Sequence, residues 1–259
     1  MRTVIAGCIL CILLMVPTGA WAVHPFEVED TDTQGKGNYL FELNGDYLKD
    51  NAFRTTNLTG VITAGASQNT DFSLEVPYLM LNPSVTTDRY EGGIGDILLK
   101  LKYRTNENEV KQSSGFEIYT SLPVGSVKKG LGTNNVVTGF QIMDQQGCCD
   151  TIYHVSAGYE VVDRDTKRYH FFEDYAFRYG FAVEHKITES FRLLAELAGE
   201  SRKTTDKESN TWSYSQPFTF MAGFKYDIST SWYVDLAGRA GLNKYAEDYA
   251  ALAGMGWKF

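Results

Sequence analysis

Apolar and polar residues alternate with period two through most of this chain, its connections alternate between short and long, and its last strand ends on an aromatic residue. Together these predict an all-β protein: a single antiparallel up-and-down transmembrane β-barrel of about 12 strands, covering residues 38–259. Composition agrees. Of 259 residues, 43% are hydrophobic and 14% aromatic, with 16 Tyr, 15 Phe, 24 Gly and only 6 Pro, a mixture that suits strands and tight turns better than helices. A mean hydropathy of −0.26 is compatible with a membrane barrel, which conceals its apolar residues in alternation. The net charge of −8, with no basic stripe, excludes a nucleic-acid partner.

Residues 1–22 read as a cleaved signal peptide. Arg2 precedes an apolar run from Val4 to Val16, and Ala20-Trp21-Ala22 forms a small-x-small cleavage site. The run is short for a membrane anchor. Ile5-Ala6-Gly7-Cys8 resembles a lipobox but has no apolar region before it. Cleavage leaves 23 basic residues against 32 acidic, a net charge of −9, with Cys148 and Cys149 as the remaining cysteines. Adjacent cysteines form no disulfide framework and lack zinc-ligand spacing; they read as two free thiols in a turn. Residues 23–37 form an N-terminal segment, periplasmic or docked in the lumen. Its Glu27, Glu29, Asp30 and Asp32 lack the spacing and glycine of an EF-hand.

The strands follow in order. Tyr39, Phe41, Leu43 and Tyr47 oppose Glu42, Asn44 and Asp46; Phe72, Leu74, Val76, Tyr78 and Met80 oppose Ser73 and Glu75. Ile97, Leu99, Leu101 and Tyr103 oppose Asp96, Lys100, Lys102 and Arg104; Phe116 and Ile118 oppose Glu117, Tyr119 and Ser121. Tyr153 to Val161 alternate against His154, Ser156 and Glu160. From 175 to 187 the apolar set from Tyr175 to Val183 opposes Arg178, Gly180 and Glu184. Phe191, Leu193, Ala195 and Leu197 oppose Arg192 and Glu196; Phe218 to Ile228 oppose Lys225 and Asp227; Trp232, Val234 and Leu236 oppose Tyr233, Asp235 and Arg239. Tyr249 to Phe259 oppose Gly254, Gly256 and Lys258. Segments 52–65 and 134–145 alternate poorly and are assigned as strands because the chain must cross there to keep the others antiparallel. Short turns are expected near 67–69, 188–190 and 229–231, and long loops at 83–93, 125–133, 163–174 and 202–215. The links at 106–113 and 145–150 are long for periplasmic turns. An even strand number places both termini on the periplasmic side.

A soluble sandwich or lipocalin-like barrel also has one apolar face. Strands of 11 to 14 residues exceed the usual five or six and are long enough to cross lipid when tilted. The apolar face carries too many bulky aromatics for one small core, and these suit interfacial girdles: Tyr39, Tyr103, Phe177, Tyr226, Trp232, Trp257 and Phe259. The polar parity gives a lumen lining of nine acids and seven bases: Glu42, Asp46, Glu75, Asp96, Glu117, Glu160, Glu184, Glu196 and Asp235 with Lys100, Lys102, Arg104, Arg178, Arg192, Lys225 and Arg239. Strong ion selectivity is not indicated, and cross-strand pairing could close the lumen. Twelve strands tilted about 40° give a backbone circle on the order of 24 Å across, leaving roughly 10 Å inside the side chains.

Catalytic motifs are weak. His154 and Ser156 share the lumen face, but no acid is placed to complete a triad. His170 lies in a loop, and His185 on the lipid-facing parity. Gly125-Ser126-Val127-Lys128-Lys129-Gly130 lacks the residues of a P-loop. No catalytic, cofactor or metal residues are assigned.

Several stretches resemble a family of bacterial outer-membrane transporters named after the MetA pathway of phenol degradation: His24-Pro25-Phe26-Glu27, Glu29-Asp30-Thr31, Thr33-Gln34-Gly35-Lys36-Gly37-Asn38, Gly95-Asp96-Ile97, Ser121-Leu122-Pro123-Val124-Gly125, Lys129-Gly130-Leu131-Gly132-Thr133 and Gly241-Leu242-Asn243-Lys244. Val124 stands where Thr is more usual. The resemblance runs through nearly the whole mature chain. It implies a channel or transporter in the bacterial outer membrane for small solutes, aromatic or hydrophobic compounds among them, and no cofactor. A barrel-embedded lipid-modifying enzyme and a closed structural barrel are the alternatives. Expected partners are outer-membrane lipid, the small solute, and the outer-membrane barrel assembly machinery, whose C-terminal signal Phe259 resembles.

Overall fold

The computed structural model describes residues 24–50, 53–82, 91–105, 108, 112–133, 135–162, 171–206 and 211–259, without the side chains of 162, 171–174, 204–206, 211 and 212. The expected signal peptide and His170 lie outside the described residues. Fourteen strand segments form one antiparallel sheet: β1 (Tyr39–Lys49), β2 (Arg54–Gly65), β3 (Thr70–Asn82), β4 (Glu91–Ile94), β5 (Ile97–Arg104), β6 (Ser113–Leu122), β7 (Val137–Cys148), β8 (Thr151–Val162), β9 (Phe171–Lys186), β10 (Phe191–Asp206), β11 (Thr211–Ser215), β12 (Phe218–Asp227), β13 (Trp232–Gly241) and β14 (Tyr249–Lys258). Two pairs of segments are single staves with an interruption. β4 and β5 both pair with β3 and break where Pro77 and Gly95-Asp96 face each other; β11 and β12 both pair with β10 and break at Gln216-Pro217. Proline cannot donate to a ladder, which accounts for a break at each place. The result is twelve staves. β1 pairs with β14, from Leu40 opposite Lys258 to Lys49 opposite Tyr249, so the sheet closes on itself.

Burial runs opposite to that of a soluble protein. Phe41, Ile62, Phe72, Phe140, Val155 and Leu236 are each more than 40% exposed, whereas Glu42, Asp46, Glu75, Glu117, Glu160, Glu196 and Asp235 are at most 5% exposed. Only a cylinder surrounded by lipid, with polar groups inside, makes that arrangement favourable. All seven girdle aromatics face outward. At the end where the chain termini of the sheet meet, Trp232 stacks on Trp257, Trp257 on Phe259, and Phe259 on Tyr39. Both poorly alternating segments are staves, β2 and β7.

Several boundaries differ from the sequence reading. The sixth stave, β7, is Val137–Cys148, not 134–145, and its link to β8 is a tight turn at Cys149-Asp150, with Cys149 at φ 57°. Gln141 and Gln145 face the lumen there, so the polar parity was present but carried no charge to reveal it. Both cysteines are free and exposed. The stretches given to loops at 83–93, 163–174 and 202–215 are partly strand, because β4, β9, β10 and β11 continue beyond the expected loop boundaries. β9 and β10 reach 16 residues each, longer than the expected 11 to 14, and β5 has only 8. Backbone pairing continued past the point where hydrophobic alternation stopped.

Asp96 departs from the lining it was assigned to. At the β4–β5 break it is half-buried, and its carboxylate accepts hydrogen bonds from the backbone N–H of Gly125 at 2.9 Å and from the N–H and hydroxyl of Thr133 at 2.8 and 2.9 Å. This pins the 125–133 loop, whose Leu131 is buried against Leu79 and Leu81. Hydrogen bonds to a charged group are each worth about 1.5–3 kcal/mol, so even one bond's worth of lost stabilisation in Asp96→Ala raises loop opening roughly 30-fold, and at least that much is expected. The measurement is trypsin cleavage at the exposed Lys128 and Lys129 of the folded barrel.

Candidate functional site: a lumen filled by the N-terminal segment

Residues 24–37 enter the barrel from the end holding the short turns and fill its interior. The segment is anchored at the mouth: Thr33 donates to the Gln68 carbonyl at 3.0 Å, and the Gln34 N–H donates to Asp71 at 2.9 Å. Thr31 Oγ1 lies 2.6 Å from Ser113 Oγ and donates to Gln145 at 3.2 Å. Further in, Glu29 sits between Lys100 at 3.1 Å and Lys102 at 3.0 Å, and Asp30 pairs with Lys102 at 3.3 Å. The backbone N–H groups of Glu27 and Val28 both donate to Glu196 at 2.7 Å. An extended segment inside a sheet-lined lumen has no ladder of its own, so wall carboxylates satisfy its amides. Glu27 pairs with Arg239.

His24 makes a buried polar anchor to two staves at once. It is 4% exposed, with Nδ1 against Asp235 of β13 and Nε2 3.2 Å from Asp46 of β1. Burial alone would lower its pKa. The hydrogen bonds to Asp235 and Asp46, with their charges, outweigh that and hold it up at about 9. Gly254 makes room for the ring: a Cβ there would lie 2.5 Å from His24 Nδ1.

The anchors are apolar as well as ionic. Phe26 and Val28 pack with Ala182, Leu194, Met221, Ala237 and Leu252 on the lumen side of the wall. A Cβ at Gly180 would meet Val28 Cγ2 at 2.4 Å. Gly180→Val is therefore expected to loosen the segment by about 1–3 kcal/mol without altering any charge. An increased leak current through the otherwise folded barrel is the readout.

The remaining assigned lining residues pair among themselves. Arg178 holds Glu160 at 2.9 Å and Glu200 at 2.8 Å, and the Tyr119 hydroxyl donates to Glu160 at 3.1 Å. Arg192 pairs with Glu184 at 3.3 Å and with Asp227. Tyr233 donates to Glu42, and Lys225 Nζ lies 3.8 Å above the Tyr233 ring. Lys100 also contacts Glu75 at 2.8 Å and Glu117 at 3.8 Å. Arg104 lies at the mouth, 3.5 Å from the Gln68 carbonyl. His154 is buried against Phe26, and neither ring nitrogen has a hydrogen-bond partner among the described residues. The Ser156–His154 pair is thus not assembled as a nucleophile and base. His185 faces outward and meets Thr151 at 2.9 Å. Sequence reasoning missed His24, Glu29, Thr31 and Asp71 as lumen contacts; Glu200, Arg202 and Glu247 also join the internal ion pairs.

The family model described as "Putative MetA-pathway of phenol degradation" matches residues 24–259. The chain belongs to this family. Among solved structures, it is similar to the COG4313 outer membrane channel from Pseudomonas putida F1, with 12% identity, 89% of this chain and 98% of that chain covered, and a TM-score of 0.75. It is also similar to the NanC porin, with 11% identity, 85% and 100% covered, and a TM-score of 0.57. The translocator domain of the autotransporter NalP from Neisseria meningitidis aligns at 12% identity, with 88% and 91% covered and a TM-score of 0.51. At such identities the likeness is one of fold. The comparison with curated proteins found no match. The protein is a bacterial outer-membrane β-barrel, with lipid-facing aromatics outside and a segment of its own sequence inside.

Proposed function

We propose that this barrel is a gated outer-membrane channel for small solutes, with simple aromatic compounds such as phenols as the favoured class, and that residues 24–34 are the gate. The observation that carries the reading is the filling of the lumen by a separate segment rather than by wall side chains alone. With that segment docked, the cavity left beside it is about 60 Å³. An apolar cavity of about 150 Å³ holds benzene, so this cavity among the described residues is too small for an aromatic solute while the segment is docked. Removing the segment restores a lumen of roughly 10 Å. The family description supports phenolic compounds as the solute class.

Swelling of liposomes containing the barrel, measured with a panel of sugars, amino acids and phenols, tests the proposal. Faster entry of phenols than of sugars of similar size is the expected result. Absence of flux for every solute, with and without residues 24–34, would reject a channel in favour of a closed structural barrel.

A further inference from the structure

We propose that the cavity between the N-terminal segment and the wall formed by β2, β3, β5 and β6 binds one divalent metal cation, held by Glu75, Glu117 and Thr59. Charge, donor chemistry and access each point this way.

Four carboxylates, those of Glu29, Asp30, Glu75 and Glu117, share two ammonium groups, those of Lys100 and Lys102, at 2.8 to 3.8 Å. The cluster therefore holds two negative charges more than its lysines cancel. Glu29, Glu75, Glu117 and Lys100 are at most 6% exposed, so bulk solvent does little to screen that excess. Water can donate hydrogen bonds to these oxygens but cannot neutralise them. Protons or a cation must do so.

Three oxygens on this cavity accept no hydrogen bond, although Lys100 Nζ lies 3.8 Å from one of them, Glu117 Oε1. Glu75 Oε2, Glu117 Oε1 and Thr59 Oγ1 are buried without a hydrogen-bond partner, on residues at most 3% exposed, and all three residues line the same cavity. Each is a hard oxygen donor, and they come from three different staves, a set suited to a calcium-class ion, which takes six to eight oxygens in flexible geometry. At roughly 10–15 Å³ per water, the cavity's volume of about 60 Å³ leaves room for the ion with about three waters, which bring the three protein oxygens to a shell of six. The same cavity is also lined by Asp32, which is exposed, and Gln34, which is half-buried, so it opens toward the mouth of the barrel and an ion has a route in. Asp71, with Oδ1 unpartnered, lies along that route.

Binding is read without solute flux, so the outcome is separate from that of the channel proposal. Calcium is titrated calorimetrically into the folded barrel in a nonionic detergent free of lipopolysaccharide, with folding checked by heat-modifiable migration. Terbium luminescence excited through the tyrosines, competed by calcium, gives a second measurement on unaltered protein. The expected result is one calcium ion per barrel, bound at least tenfold more weakly in Glu117→Gln and weakened also in the milder Thr59→Val, which removes no charge. A folded wild-type barrel that takes up no calcium, its acids then carrying protons, overturns the proposal. So does calcium binding that neither substitution changes.

Discussion

Deletion of residues 24–34 is expected to convert a nearly silent barrel into an open pore. The docked segment leaves a cavity of only about 60 Å³ beside it, whereas the empty lumen is roughly 10 Å across, so the conducting cross-section rises on the order of tenfold. Planar-bilayer recordings of the intact and shortened proteins measure it directly, and heat-modifiable migration confirms that the shortened barrel is folded. The wall survives the deletion because its own pairs remain: Lys100 with Glu75, Arg178 with Glu160 and Glu200, Arg192 with Glu184. Equal conductance from the two proteins would mean that the lumen is blocked by something other than this segment.

Alkaline pH is expected to open the intact protein. His24 has a pKa near 9 when docked, against about 6.5 when free. Its protonated ring therefore stabilises docking fully below pH 6.5, and that contribution is lost as the pH rises through 9. The difference of about 2.5 units corresponds to roughly 3 to 4 kcal/mol, or about 300-fold in the docked-to-undocked ratio. Conductance of the wild type should climb as the pH rises from about 6.5 to 9. His24→Gln should show a raised conductance already at pH 7 and lose this rise. A wild-type profile flat to pH 10 would show that the other anchors hold the segment without His24.

The architecture was legible because lipid imposes a two-residue period that composition cannot hide. It shows most clearly where charges mark the inner face, as in β9, where Arg178 and Glu184 alternate with Phe177, Phe181 and Val183. It faded in β2 and β7, whose inner faces carry Asn57, Thr59, Thr63, Gln141 and Gln145 in place of ions. The lumen-facing parity was readable for the same reason, but the partners were not. Arg178 meets Glu160 and Glu200 on adjacent staves, contacts set by register rather than by spacing along one strand. The contacts of the N-terminal segment were the least accessible, since an extended stretch with no period can lie anywhere. One trace of its position was in the sequence. Gly180 and Gly254 interrupt the polar parity with vacant volume, and both prove to be where Val28 and His24 approach the wall.

The ladder joining β1 to β14 has a consequence for how the molecule is made. Residues at opposite extremes of the sheet, Leu40 and Lys258, must find each other, and every other ladder joins neighbours along the chain. Until they meet, the sheet keeps two raw borders whose unpaired amides can recruit strands from other chains. A product stopped anywhere before β14 would retain those borders permanently, so truncation should yield aggregates rather than a smaller barrel. Completion of the ring is thus the step that separates a sticky curved ribbon from an inert cylinder.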